Sequence, residues 1–179
     1  MLFKKKTIAP LLDELERLGF YKYTSPDQVE KVKAESIKTG YLFGEMTGRD
    51  YIADSENLAE GGVKTFLNSL APFLKDQDVT FNTIEEDFNV EGSYTVIVEG
   101  ESFVMYTEDE LSTGNFWELT TRRALSLVNK FLKNAGSSER MYFLYGGNDT
   151  QAVFLTPDMF KIISESSLIQ SKDNPSSVD

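Results

Sequence analysis

The hydrophobic positions of this chain change their spacing three times along its length. From residue 8 to residue 75 they recur at intervals of three or four, which is the period of amphipathic helices. Between residues 79 and 106 they alternate with polar positions, which is the period of half-buried strands. Helical spacing returns near residue 116, and two apolar runs flank a glycine-rich turn after that. The predicted element order is therefore ααα, βββ, α, ββ, α.

Caps and breakers place the predicted helices. The first covers 8–18, and the second runs from a capping box at 25–28 to about Gly40. The third covers 62–75 and should bend at Pro72. A long amphipathic helix covers 116–134, and a short one follows Thr156 to about Ser164.

The predicted strands form two groups. A meander consists of strands 79–84, 93–98 and 102–106, with a tight turn at 99–101. A C-terminal hairpin consists of strands 140–145 and 151–155 around Gly146-Gly147-Asn148-Asp149. Two short strands, 41–43 and 50–53, are also predicted.

Strands joined mostly by hairpins favour an α+β fold. We expect a single domain over 1–165, with a mainly antiparallel sheet (the three-stranded meander plus the C-terminal hairpin) and helices packed on one face. Residues 166–179 are rich in Ser and other polar residues, which predicts a polar, flexible C-terminal tail.

Charge is distributed unevenly along the chain. Twelve acidic residues and no Lys or Arg lie between Asp76 and Thr121. The rest of the chain carries all eighteen bases against seventeen of the twenty-nine acids, so the net charge of −11 comes from this one stretch. Charge confined to one part of a fold attracts a basic partner or a cation.

The predicted meander places these acids at its two ends. One end consists of the first loop and the segment after the last strand, and it would bring seven carboxylates together. These residues form a candidate partner-binding site: Glu85, Glu86, Asp87, Glu91, Glu108, Asp109 and Glu110. Asp76, Asp78, Glu99 and Glu101 would lie at the other end. Acidic loops are also typical of plain solvation, and Thr107 with Glu110 forms a capping box typical of a helix start.

Composition excludes several kinds of chemistry. The 179 residues include no Cys and no His, so disulfides, thiolate nucleophiles, His-containing triads and ordinary zinc sites are impossible. We find no catalytic motif and lean towards a non-enzymatic protein, although a carboxylate-based enzyme stays open. No apolar run approaches the length of a membrane span, and acids follow the basic N-terminus at once, so we expect a cytoplasmic protein without a membrane partner.

The metal and cofactor motifs are incomplete. Asp87-Phe88-Asn89-Val90-Glu91-Gly92 resembles the first half of an EF-hand loop, but the position of the bidentate Glu holds Val98. A weak divalent-metal site in the wider carboxylate cluster stays open. No phosphate loop or dinucleotide fingerprint is present, so we expect no cofactor. The acidic charge disfavours direct nucleic-acid binding.

Two motifs are similar to those of small acidic uncharacterised bacterial proteins of the toxin–immunity type. They are residues 54–63, and residues 144–149 continuing through 154–157. The resemblance covers about a tenth of the chain and implies no functional residues. It favours an immunity protein that covers the basic active site of a toxin such as a nuclease. The alternatives are a carboxylate-based enzyme or divalent-metal binder, and a regulatory or scaffold module whose partner is unrelated to charge.

Overall fold

A computed structural model describes residues 7–89, 92–145 and 150–178. The N-terminal half is mainly helical and contains one short strand. Its elements are α1 (Ala9–Arg17), α2 (Val29–Thr39), β1 (Asp50–Ile52), α3 (Ser55–Asn57), a π-turn (Leu58–Gly62), α4 (Val63–Ser69) and α5 (Ala71–Lys75). The rest consists of β2 (Ile84–Phe88), β3 (Tyr94–Val98), β4 (Glu101–Tyr106), α6 (Glu108–Leu111), α7 (Phe116–Asn134), β5 (Arg140–Leu144), β6 (Gln151–Leu155) and α8 (Pro157–Glu165).

Two antiparallel sheets confirm the predicted α+β class. The meander forms one sheet in the order β2-β3-β4. The C-terminal hairpin forms the other, in which β1 pairs with β6 to give the order β1-β6-β5. The predicted hairpin turn at 146–149 lies outside the described residues.

Helices cover both faces of the β1-β6-β5 sheet, whereas the sequence predicts helices on one face. Phe143 and Phe154 belong to a core shared with α4, α5, α7 and the meander. Leu144 and Val153 belong to a second core with α1, α2 and α8. The uninterrupted apolar runs of β5 and β6 indicate burial on both faces, because a strand buried on both faces shows no alternation of apolar and polar residues.

Helix α7 connects the two sheets. It packs against both β4 and β5. The centre of its apolar stripe, which includes Ala124, Leu127 and Val128, is buried. The position of the meander relative to the other sheet therefore depends on this helix.

The N-terminal helices differ in detail from the prediction. Helix α2 begins at Val29 without a side-chain cap, so the predicted capping box at 25–28 does not form. Residues 41–43 are not a strand. The predicted helix 62–75 is divided at Leu70, because Pro72 has no backbone N–H to continue the ladder, and a π-turn precedes it.

The first strand of the meander begins later than predicted. It covers Ile84–Phe88 rather than 79–84, and Val79 instead closes the turn after α5 through a hydrogen bond to Leu74. Acidic residues are depleted in strands, so Glu85, Glu86 and Asp87 suggested a loop. This shift changes the location of three predicted site residues.

The C-terminal segment contacts the body of the fold despite its polar composition. Phe143 and Ser176 exchange two backbone hydrogen bonds of 2.9 and 2.8 Å. Val178 is buried in the first core and Ile169 in the second. The C-terminal segment is therefore anchored to the fold and pairs with the outer edge of β5 at Ser176, which the composition does not reveal.

A buried ion pair joins distant parts of the chain. Arg49 is 0% exposed, and its Nη1 donates to Glu139 Oε2 at 2.9 Å. The same guanidinium donates to the carbonyl oxygens of Gly19, Phe20 and Phe154 at 3.0, 2.6 and 2.9 Å. It thus connects the loop after α1, the β1-β6 pair and the turn between α7 and β5.

A second set of hydrogen bonds completes the environment of Glu139. Tyr23 donates its hydroxyl to Glu139 Oε1 at 3.2 Å and accepts a hydrogen bond from Gln77 Nε2 at 2.7 Å. Burial, followed by the nearby Glu139 carboxylate, raises the pKa of Tyr23 to about 12, so the hydroxyl keeps its proton. Ser137 donates to Gln77 at 2.8 Å.

Removal of the guanidinium should destabilise the fold strongly. We expect Arg49→Met to lower the free energy of unfolding by about 3–5 kcal/mol, because it leaves the Glu139 carboxylate buried without its cation. Urea denaturation measures the change. The control is Lys38→Met, which removes an exposed pair with Glu35 and should cost less than about 1 kcal/mol. Similar losses for the two variants would contradict the structural role of Arg49.

Candidate functional site

Strand β2 carries three of the predicted site residues on alternating faces. Glu86 faces the core together with Ile84 and Phe88, whereas Glu85 and Asp87 are exposed on the opposite face. The predicted loop cluster is therefore divided, because successive side chains of a strand point in opposite directions.

Glu86 has a structural role. Its Oε1 accepts hydrogen bonds from the Tyr94 hydroxyl at 2.5 Å and from the Lys64 backbone N–H at 2.9 Å. Burial, and then the hydrogen bond to Glu86, raise the pKa of Tyr94 far above its ordinary value, so Tyr94 remains a donor. Glu86 thus joins β2 to the start of α4.

Glu110 also has partners within the fold. The capping box predicted from Thr107 and Glu110 is confirmed at the start of α6. Arg123 on α7 donates to both Glu110 oxygens at 2.8 Å. The hydrogen bonds from Arg123, followed by the one from the Thr107 backbone N–H, lower the pKa of Glu110 from 4.5 to about 2. The pair fixes α6 against α7.

Four of the predicted site residues remain exposed: Glu85, Asp87, Glu108 and Asp109. In the part of the chain that the structure describes, no hydrogen bond or ion pair involves their carboxylates. We call these four carboxylates the acidic surface. Glu91, the remaining predicted site residue, lies outside the described residues.

The register shows which of the four lie together. Strands β2 and β4 both run antiparallel to β3, so the end of β2 and the start of α6 lie at the same end of the sheet. Asp87 is at that end with Glu108 and Asp109. Glu85 pairs with Ile97, nearer the middle of the sheet. The acidic surface therefore consists of two groups, Glu85 and Asp87 on β2 and Glu108 and Asp109 on α6, and is not one compact cluster.

At the opposite end of the meander, two carboxylates have structural partners. Glu99 accepts backbone hydrogen bonds from Asn82 and Thr83 at 2.6 and 2.8 Å, which lower its pKa. Glu101 pairs with Lys130 on α7. Two of the four acids predicted at that end, Glu99 and Glu101, are therefore structural, whereas Asp76 and Asp78 are exposed.

Two features near the acidic surface are missed by sequence reasoning. Phe88 stacks on Tyr94 with ring centroids 4.2 Å apart, yet 50% of Phe88 is exposed. Gly61 in the π-turn has a φ of +99°, and a Cβ there would come within 3.1 Å of the Phe88 ring. The double glycine at 61–62 is the sequence signal for this close approach.

The described residues contain no group of three or more Asp, Glu, His or Cys side chains that could hold a metal ion. In the same residues, no helix has the length and apolarity needed to cross a membrane.

The chain matches no protein-family model, and its comparison with curated proteins and with solved structures finds no significant match. The candidate site therefore depends on the geometry of this chain alone.

Acid should weaken the Glu110–Arg123 contact in a defined pH range. Because folding lowers the pKa of Glu110, its stabilising effect is present above pH 4.5 and is lost as the pH falls towards about 2. We expect Glu110→Gln to be less stable than wild type by about 1 kcal/mol at pH 7. The difference should disappear near pH 2 in urea denaturation.

Glu118→Gln is the matched control, because it removes an exposed pair with Arg122 within one helix. It should cost less than about 0.5 kcal/mol at pH 7. A difference between wild type and Glu110→Gln that stayed constant from pH 7 to pH 2 would contradict the assignment.

Proposed function

We propose that this protein is a non-enzymatic binding module whose acidic surface docks onto a basic protein partner. The supporting observation is the division of the predicted site residues into two groups. Glu86 and Glu110 have partners inside the fold, whereas the carboxylates of Glu85, Asp87, Glu108 and Asp109 have none among the described residues.

The electrostatics favour this use of the surface. No Lys or Arg occurs between Asp76 and Thr121, so no base from the same stretch neutralises the exposed acids. A surface of one charge sign steers an oppositely charged partner and accelerates encounter. Internal bonds hold the supporting strand and helix in place, so little conformational freedom is lost on binding.

The most concrete form of the proposal is an immunity protein. A nuclease needs a basic groove because its substrate carries a phosphate charge at every nucleotide. The two carboxylates on β2 and the two on α6 would offer negative charge to that groove without a bond to cleave. Covering the groove would exclude the nucleic acid.

Neutral variants of the acidic surface test the proposal by kinetics. The variant combines Glu85→Gln, Asp87→Asn, Glu108→Gln and Asp109→Asn. The partner is the basic protein that is recovered from lysate at low salt and lost at high salt. At low salt we expect the variant to associate with it at least about tenfold more slowly than wild type does. Stopped-flow or surface-based kinetics at several salt concentrations measures the rate.

A control with the same change of charge separates local from global electrostatics. It combines Glu14→Gln, Asp27→Asn, Glu30→Gln and Glu165→Gln, which are exposed on α1, α8 and around the start of α2. This control should slow association by less than about threefold. The proposal is wrong if both variants slow association equally, or if neither does.

A further inference from the structure

The outer edge of β2 carries backbone groups that point away from the sheet. Asn89 N donates to Ser93 O at 3.2 Å, and Glu99 N donates to Thr83 O at 3.1 Å. In an antiparallel ladder, pairs that exchange hydrogen bonds alternate with pairs that do not. The odd-numbered residues of β2 therefore bond to β3, and the N–H and C=O groups of Ile84, Glu86 and Phe88 face outward.

No described residue forms a hydrogen bond with these outward backbone groups. At two other outer edges the structure shows one contact each. Ser176 pairs with Phe143 on the edge of β5, and Arg123 donates to the Met105 carbonyl on β4 at 3.1 Å. An uncovered edge strand is a template for pairing with another chain.

Side-chain chemistry selects the chain that could pair there. Glu85 and Asp87 occupy one face of the edge, so an added strand would bring side chains within about 5.5 Å of them. Like charges directly opposite each other are destabilising, which disfavours a second copy of β2. Lys or Arg at alternate positions of the added strand would instead pair with both carboxylates.

The opposite face of the edge offers a different contact. Phe88 is half-exposed there, and its stack on Tyr94 holds the ring in place. Glu86 is fixed by Tyr94 and Lys64. The edge is thus ordered before binding, and small or apolar side chains of an added strand would lie over Phe88.

We propose that an extended basic segment of the partner protein adds to β2 as a fourth, antiparallel strand of the meander sheet. The inference rests on the proposed function and specifies how the partner binds. Main-chain hydrogen bonds to residues 84, 86 and 88 supply affinity in such strand addition, and alternate side chains supply specificity. The basic residues would face Glu85 and Asp87.

A designed peptide of four lysine–threonine repeats tests the mode of binding. In antiparallel addition, its lysines lie opposite Glu85 and Asp87, and its threonine N–H groups bond to the edge. Amide hydrogen exchange by NMR on the full-length protein should show slowing of about tenfold or more at Glu86 and Phe88 when the peptide saturates the protein. The amides of Glu85 and Asp87 already bond to β3 and should change less.

Two control peptides isolate charge from backbone pairing. A glutamate–threonine peptide of equal length should not bind. A lysine–threonine peptide that is N-methylated at every threonine keeps its charge but loses its edge donors, and should bind at least about tenfold more weakly.

The outcomes distinguish the two proposals. If the lysine–threonine peptide binds but leaves the Glu86 and Phe88 amides unprotected, or if methylation leaves affinity unchanged, strand addition is wrong and charge-based docking stands. If neither lysine peptide binds while the glutamate peptide does, or if none binds at low salt, both proposals are wrong.

Discussion

The buried guanidinium of Arg49 is the constraint on which the arrangement of this fold depends. One side chain donates to three carbonyl oxygens and to Glu139, and these acceptors come from the loop after α1, from β6 and from the turn after α7. A buried charge is tolerable only when it is paired and its donors are used. The guanidinium therefore fixes where α7 ends relative to the β1-β6-β5 sheet.

Helix α7 extends this constraint to the acidic part of the molecule. Its C-terminal end leads into the Glu139 turn, and its middle packs on β4. Arg123 on the same helix holds Glu110 and so fixes α6. Tyr94 and Glu86 hold β2 against α4. Unlike these acids, the four carboxylates of the acidic surface and the outward backbone groups of β2 have no hydrogen-bond partner among the described residues.

Sequence periodicity predicts most of this architecture, and its failures have physical causes. Alternation locates β3 and β4 of the meander, helical spacing locates α7, and apolar runs around a glycine-rich turn locate the C-terminal hairpin. The predicted position of β2 is wrong because pairing with β3, and not the low strand propensity of Glu85, Glu86 and Asp87, decides the structure of this segment. The division of the candidate site into anchored and exposed acids depends on Tyr94, Lys64 and Arg123. These residues lie 8, 22 and 13 positions from their acidic partners, so composition cannot reveal them.

The most direct test of the account is carboxylate footprinting of the protein in complex with the basic partner that elutes at high salt. Carbodiimide-mediated labelling followed by mass spectrometry reports which Asp and Glu side chains a partner covers. We expect protection of Glu85, Asp87, Glu108 and Asp109, with Glu14, Asp27 and Glu165 still reactive. Protection of the second group, with full reactivity along β2 and α6, would contradict the claim that the acidic surface is the binding site.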